Sequence, residues 1–390
     1  MDLDSLMKRM ALLHKSFDKI FGGRAEVSVM APGRVVLLGG HTDYNRGCVL
    51  SLAIDLNTIL ITRRRADTQV VLHSLNTRKT TRFFLSELRP GSSPLWEKTL
   101  QGGAWALQKA GYALKGIEGV FHGTLPLDAG LGASTTMAVA LAWAWNVQDD
   151  LGISRPELAR LCWNAESQFV GSPVSEVDAF TATLGRDRQL LCVDCRAESV
   201  SYWPLPPTAR VVVCDTGVRR TQVQTISLLR RRECESATGK LQGHVPSIHS
   251  LRDVTPQDLI HYRQFLPSDL YRRVLHVVTE HQRVLQATQA LVAGDLDALG
   301  RLMNTSHRSL RDDYEISSPE LDAMWLAANE VPGCYGACMT GTGLGGNVVA
   351  LVNRRALRRF EAHVVERYRE LTGKEATVRP VRAADGVMTL

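Results

Sequence analysis

No stretch of this chain is apolar for long enough to cross a bilayer. The longest such run, Met137 to Trp145, is far short of the ~20 residues a membrane helix needs, so no membrane partner is expected. The N-terminus, MDLDSLMKRM, begins acidic and has no apolar segment of the kind a secretory leader carries, so none is expected. Cysteines number eight and are scattered without disulfide-dense spacing, which points to a reducing, cytoplasmic setting. Cys192 and Cys195 form C-x-x-C, and Cys334 lies near Cys338. Neither pair has a histidine close by, so buried thiols are expected rather than zinc ligands. Aromatic residues make up only 6% of the chain, and the basic clusters Arg63-Arg64-Arg65 and Arg230-Arg231-Arg232 contain none. With a net charge of only +6, these clusters are expected to be solvated faces, and no nucleic-acid partner is expected. Internal repeats and low-complexity segments are missing, as are a G-x-x-x-x-G-K-[ST] loop and the motif set of the protein kinases.

What remains is a globular composition, 44% hydrophobic and 22% charged over 390 residues, enough for one very large domain or two ordinary ones. Its most informative stretch is Leu125 to Trp145, LPLDAGLGASTTMAVALAWAW. Gly130, Leu131, Gly132 and Ala133 allow a tight loop whose backbone approaches a ligand closely. Ser134, Thr135 and Thr136 then open a helix, whose first N–H groups lack intrahelical partners and carry the positive end of the dipole. Such a loop suits a polyphosphate; taken alone, it equally suits a glycine turn capped by Ser134. A G-x-G-x-x-G match exists at Gly341, Gly343 and Gly346, but Asn347 to Val352 reads as a strand. The dinucleotide fingerprint needs a helix there, so it is rejected.

In chain order, residues 4 to 21 have helical apolar spacing at Leu6, Met10, Leu13, Phe17 and Ile20. Two strands, 26–30 and 34–38, are expected on either side of Ala31-Pro32-Gly33, followed by the polar loop Gly39 to Asn45. That loop could line a hydroxyl-rich ligand or be a self-bonded hairpin turn. Further strands are expected over 49–63, 70–73, 80–84, 119–123 and 190–194, and helices over 96–113 and 158–169, the latter carrying Glu166. Gly171-Ser172-Pro173 breaks that helix shortly before Asp178, and Pro204, Pro206 and Pro207 mark a boundary near residue 205. Beyond it come a strand over 210–214, a helix through Arg231, helical sequence over 257–293 interrupted at Pro267, and a helix over 296–309. An S-P-E helix start follows at Ser318, then a glycine-rich stretch from Gly333 to Gly346, a helix over 355–372 and a strand near 376–381.

Five segments together resemble the GHMP small-molecule kinases, and within them the galactokinases: APGRVVLLGGHTDYNRGCVL, LPLDAGLGAST, AESQFVGSPVSEVDAF, DDYEISSPELD and MTGTGLGGNVVALV. They stand in the family's order and run nearly end to end. The resemblance implies an α+β, two-domain GHMP kinase fold, residues 1–205 being ribosomal-protein-S5-domain-2-like and 206–390 a ferredoxin-like α/β sandwich, with the active site between them. It also implies transfer of the ATP γ-phosphoryl group to the anomeric hydroxyl of a galactose-like sugar, by a monomer or weak homodimer. On that resemblance the loop Gly130, Leu131, Gly132, Ala133, Ser134, Thr135 and Thr136 would cradle the phosphates, and Ser134 and Glu166 would hold Mg²⁺. Asp178 would accept the sugar proton, with Arg34 beside it keeping it ionised and stabilising phosphoryl charge. His41 and Asp43, with Gly40 beside them, would meet the sugar, and Trp96 would lie near the adenine or in the core.

The chain departs from the family pattern at Gly40 (a glutamate in the family), Val36 (an asparagine), Val174 to Ala179 including Ser175 (C-G-I-M-D-Q), and Ser227 (a tyrosine). In the family most of these positions face the sugar, whereas the phosphate-transfer residues are kept here. The expectation is an ATP- and Mg²⁺-dependent sugar 1-kinase for which galactose is not the best substrate. Galacturonate, paired with Arg46, Arg219 or Arg220, or L-arabinose, which lacks C6, would suit the altered pocket. A sugar sensor without turnover is the rival from another class, and retention of Ser134, Glu166, Asp178 and Arg34 argues against it.

Overall fold

A computed structural model describes residues 3–90, 95–126, 129–171, 175–219 and 223–390. The chain opens with helix α1 (Leu3–Phe21), whose Leu13 and Phe17 pack onto Ile59, Ile61 and Val120. Strands β1 (Val27–Leu38), β2 (Cys48–Arg64), β3 (Gln69–Ser74), β4 (Thr80–Phe84) and β5 (Ile117–Gly123) follow, with helix α2 (Leu95–Lys109) between the last two. Helices α3 (Ala133–Gln148), α4 (Arg155–Asn164) and α5 (Glu176–Leu184) precede the hairpin of β6 (Gln189–Asp194) and β7 (Ser199–Pro204). These strands form one sheet in the order β1-β2-β5-β3-β4, with β6 and β7 added to the free start of β2. The long β2 thus pairs with β6 through Cys48–Ser51 and with β5 through Thr58–Arg64. Helix α3 is apolar on every side, so it lies buried under the sheet, where Val139, Leu141 and Trp145 are almost fully enclosed.

The second half contributes β8 (Ala209–Asp215), then α6 (Val223–Gln242), α7 (Pro256–Tyr262), α8 (Ser268–Ala293), α9 (Leu296–Asp312) and α10 (Pro319–Asn329). Strands β9 (Cys334–Thr340) and β10 (Asn347–Asn353), helix α11 (Leu357–Thr372) and strand β11 (Thr377–Val381) complete a four-stranded antiparallel sheet, β11-β8-β10-β9. Helix α9 lies directly on β9: a side chain at Gly300 would strike the Tyr335 backbone, and one at Gly336 would strike Gly300. The chain then returns to the first sheet, where β12 (Met388–Thr389) pairs with β1 at Val29 and Met30.

Several expectations are corrected here. The runs 26–30 and 34–38 are one strand, bulged between Pro32 and Gly33, because Gly33 packs under Leu125 and the Arg34 N–H donates to the Leu131 carbonyl at 3.0 Å. The glycine-rich stretch contains β9, and β12 carries no sequence signal of its own. Helix α4 does not run on to Phe169: at Ala165 it widens into a π-helical turn, Ala165–Val170. The residues expected to break it, Ser172 and Pro173, lie outside the described residues. Ser318 caps α10 as the S-P-E start implied, accepting from the Leu321 N–H. Among the described residues no helix is long and apolar enough to cross a membrane.

Candidate active site

Between the two sheets lies a cleft of about 570 Å³ to which both halves of the chain contribute. One wall is the loop from β1 to β2. Gly39 has φ +90° and its Cα hydrogens face the Cys48 and Val49 backbone, so no side chain fits there. The Thr42 hydroxyl and the carbonyls of Gly39 and Cys48, each 2.9 Å away, fold the loop back on itself. His41 takes φ +63°, a left-handed conformation uncommon outside glycine, and its carbonyl is held by Asn45 Nδ2 at 3.1 Å. The result points the imidazole and the Asp43 carboxylate into the cleft. Burial, with Arg230 nearby, pushes the His41 pKa down to about 4, so the ring is neutral at pH 7. Burial pushes the Asp43 carboxyl up, and hydrogen bonds, that of the Ser175 hydroxyl first, pull it back.

The opposite wall is the loop 129–134 and the first turn of α3. Gly132, in a left-handed conformation (φ +79°), is the N-cap, with no side-chain oxygen on the helix's first N–H groups. Ser134 is exposed on that turn and does not cap it, so those N–H groups face the cleft with the dipole behind them. The second glycine-rich stretch closes on this loop: a side chain at Gly341 would lie 3.1 Å from Gly130 Cα, and Asn347 Nδ2 donates to the Ala129 carbonyl.

Arg34 joins the walls. Its Nε and Nη2 donate to Asp178 Oδ1 and Oδ2 at 2.6 and 2.7 Å, and its Nη1 donates to the Gly130 carbonyl. Both partners of this fork are less than a tenth exposed. Burial pushes the Asp178 carboxyl up while the Arg34 charge pulls it down, and the net direction is upward. Asp178 sits in the first turn of α5, but the cap there is Ser175, which accepts from the Val177 N–H. The Asp178 carboxylate is therefore free for the fork. Glu166 projects from the π-helical turn and is buried. Its Oε1 accepts from the Thr135 hydroxyl at 2.8 Å, while Oε2 has no partner. Burial and the neighbouring Asp178 charge push its pKa up to about 8. A buried carboxylate oxygen with nothing to bind, lining the same cleft as the exposed Ser134 hydroxyl, fits a hard divalent cation.

This arrangement has known counterparts. Residues 15–64 match the galactokinase galactose-binding signature, residues 98–186 the GHMP kinases N terminal domain and residues 287–370 the GHMP kinases C terminal domain. A galactokinase of Roseiflexus sp. (strain RS-1) is 39% identical over 96% of this chain and 96% of its own. A Homo sapiens galactokinase is 37% identical over 98% and 96%. The crystal structure of Lactococcus lactis galactokinase complexed with galactose superposes with a TM-score of 0.94 at 29% identity, covering 98% of this chain and all of that one. The chain belongs to the galactokinase family.

In this galactokinase-family sugar kinase, Arg34, Gly40, His41, Asp43, Gly130 to Thr135, Glu166 and Asp178 all meet in the one cleft. Thr136 sits just behind it, its hydroxyl on the Gly132 carbonyl at 2.7 Å. Trp96 is placed elsewhere: it packs half-buried against the core around α3 and does not line the cleft. Val36, Ser175 and Ser227 line it, so the departures from the galactokinase pattern do face the cavity. The three cations expected to receive a galacturonate carboxylate stand differently. Arg219 is forked onto Asp215 at 2.6 and 2.8 Å, Arg46 is exposed and outside the cleft, and Arg220 lies outside the described residues. Three contributors escaped the sequence reading, Thr135 as the Glu166 partner, Glu280 behind Gly39 and Tyr314 behind His41, and the glycine-rich loop near 341–346 stands out there but is given no role.

Proposed function

We propose that this chain binds galactose against the 39–47 loop and ATP against the 129–134 loop, and transfers the γ-phosphoryl group to the sugar's anomeric hydroxyl. The observation that carries this reading is the Arg34–Asp178 fork, which stands where the two loops meet. The fork uses one lone pair on each Asp178 oxygen and leaves the others to orient or take the hydroxyl proton. Arg34 holds Asp178 and the phosphate loop at once, so acceptor and donor are positioned by a single side chain. Phosphoryl transfer depends chiefly on such positioning and on charge stabilisation. Ser134 and Glu166 would hold Mg²⁺, which, when bound, neutralises charge on the phosphates. The reading takes residues up to 205 as one domain and the rest as a second whose last strand rejoins the first, a cytoplasmic enzyme acting as a monomer or weak dimer.

An ADP-release assay over galactose, galacturonate and L-arabinose tests this. Release with galactose is expected, and release with none of the three would favour a sensor. With Arg219 neutralised by Asp215, galacturonate is expected to trail galactose. Glu166→Gln removes the charge but keeps the shape, and the Mg²⁺ concentration for half-maximal rate should rise at least tenfold, the scale of ~1.4 kcal/mol. An unchanged Mg²⁺ titration would take Glu166 out of the metal site.

Gly40 supplies a further test. It has no left-handed φ, and a Cβ there would rest 3.5 and 3.6 Å from the Leu310 methyls, an ordinary contact. The backbone therefore does not demand glycine; what glycine leaves is room and a missing acceptor. In the family the glutamate here meets the C6 end of the sugar. Gly40→Glu is accordingly expected to raise kcat/KM for galactose by about tenfold, the scale of a hydrogen bond to a charged group. It should lower the value for galacturonate, and a gain there would contradict the charge argument.

A further inference from the structure

Behind His41 three side chains stand in line. Its Nδ1 is 3.0 Å from the Tyr44 hydroxyl, which is 2.6 Å from the Tyr314 hydroxyl, which is 3.2 Å from Cys234 Sγ. Tyr314 and Cys234 are essentially buried. At the other end, His41 Nε2 is buried and makes no hydrogen bond of ordinary geometry, while the Thr342 backbone, which lines the same cleft, is near enough to favour a proton on the ring. Two further features fix the ring's aim: its left-handed backbone and the bond from Asn45 to its carbonyl.

Three links are shared among four possible donors, so the row can be ordered in four ways; two of them leave a tyrosine hydrogen outside the row with no acceptor, and only two run continuously from end to end. With the hydrogens directed toward His41, Tyr44 donates to Nδ1, Tyr314 to Tyr44 and Cys234 to Tyr314, and the ring's own hydrogen is on Nε2. With the order reversed, Nδ1–H donates to the Tyr44 oxygen, the hydroxyls point toward sulfur, and Nε2 presents a lone pair. The orders differ chiefly at the ends. The first matches a phenol O–H, a good neutral donor, with an unprotonated imidazole nitrogen, a good neutral acceptor. The second spends a phenol O–H on sulfur, a weak acceptor. Because burial keeps the ring neutral, only one nitrogen carries hydrogen.

We infer that the Tyr314–Tyr44 row fixes His41 as the Nε2–H tautomer, making it a hydrogen-bond donor to the ligand in the cleft. Tyr44 and Tyr314 are then positioning residues for substrate recognition, one from the first half of the chain and one from the second. The hydroxyl opposite His41 is read as an acceptor. This last step rests on the proposed sugar-kinase function, whereas the tautomer is a property of the free protein.

The test begins with the full chain, free of ligand and ¹⁵N-labelled at histidine, using two-bond ¹H–¹⁵N correlations with the His41 signal assigned by its loss in His41→Gln. The expected pattern has a protonated Nε2 and an unprotonated Nδ1. The opposite pattern, or an even mixture, overturns the inference. In Tyr44→Phe the Nδ1 partner is gone and the pattern should become a mixture; an unchanged pattern overturns the role of the row. Tyr314→Phe should raise KM for galactose by about fivefold, one neutral hydrogen bond's worth, with kcat within about twofold. Equal losses in kcat would mark Tyr314 as merely structural. Finally, at the hydroxyl opposite His41, a deoxyfluoro galactose should outperform the corresponding deoxy sugar, since fluorine accepts but cannot donate. Equal losses at every position would overturn the donor role. Lack of turnover with any sugar would count against the sugar-kinase reading and leave the tautomer measurement intact.

Discussion

Asp178→Asn is expected to lower kcat by roughly two to four orders of magnitude, the scale of a positioned base, with ATP binding nearly unchanged. The substitution keeps the shape of the side chain but replaces one acceptor oxygen with an NH2 group, which would face a donor of Arg34. Half of the fork at 2.6 and 2.7 Å is lost, and a buried guanidinium is left with no counter-charge on Asp178. Some loss of stability therefore accompanies the variant whatever its role in transfer. The two contributions separate when kcat is corrected for the active fraction and ATP affinity is measured by nucleotide-dependent thermal shift. A residue that merely braces α5 predicts fewer active molecules, each turning over normally. A residue that orients the hydroxyl predicts folded, ATP-binding molecules that hardly turn over. Near-normal corrected turnover removes Asp178 from the mechanism.

That experiment could have been designed from the sequence, because the fork joins residues that motifs already single out. What the sequence conceals is of another kind. Glu166 is visible in its segment, but not the π-helical turn that aims it, since inserting one extra residue per turn leaves no composition signature. Thr135 and Ser134 are neighbours of the same chemical type, and only the helix start at Ala133 decides that Thr135 turns inward to Glu166 while Ser134 faces outward. Strand β9 hides in a glycine-rich stretch, of which Gly336 makes room for Gly300 of α9, and β12 is too short to show periodicity. Trp96, for which the resemblance left the adenine and the core both open, packs half-buried against the core. The same limit applies to Glu280, 241 residues from the loop it holds.

Glu280 carries the largest stability effect expected here. Its side chain is fully buried on α8. Oε1 accepts from the Gly39 N–H and the Ser306 hydroxyl, each at 2.7 Å, and Oε2 accepts from Arg283 Nε at 2.6 Å. Burial alone would raise its pKa, but Arg283, His276 and the hydrogen bonds outweigh burial and hold the carboxyl below its ordinary value. A buried ion pair need not add net stability, yet removing one member strands the other, at a cost of about 3–5 kcal/mol. Arg283 is poorly placed to bear that, because its Nη2 already lacks a partner. Glu280→Ala is thus expected to lower stability by that amount, and Glu280→Gln by somewhat less, read as the shift in denaturant midpoint at constant slope. The sign with pH follows from the depressed pKa: the contribution is full above ~4.3, the ordinary glutamate value, and is lost as the pH falls through the lower folded one. That acid-side loss should vanish in Glu280→Gln. The Gly39 tether adds a functional arm, since the loop that presents His41 and Asp43 loses its hold on α8 while the phosphate loop keeps its own supports. KM for the sugar should therefore rise in Glu280→Gln with KM for ATP unchanged. Equal rises in both would mean that Glu280 supports the whole cleft and not the sugar loop alone.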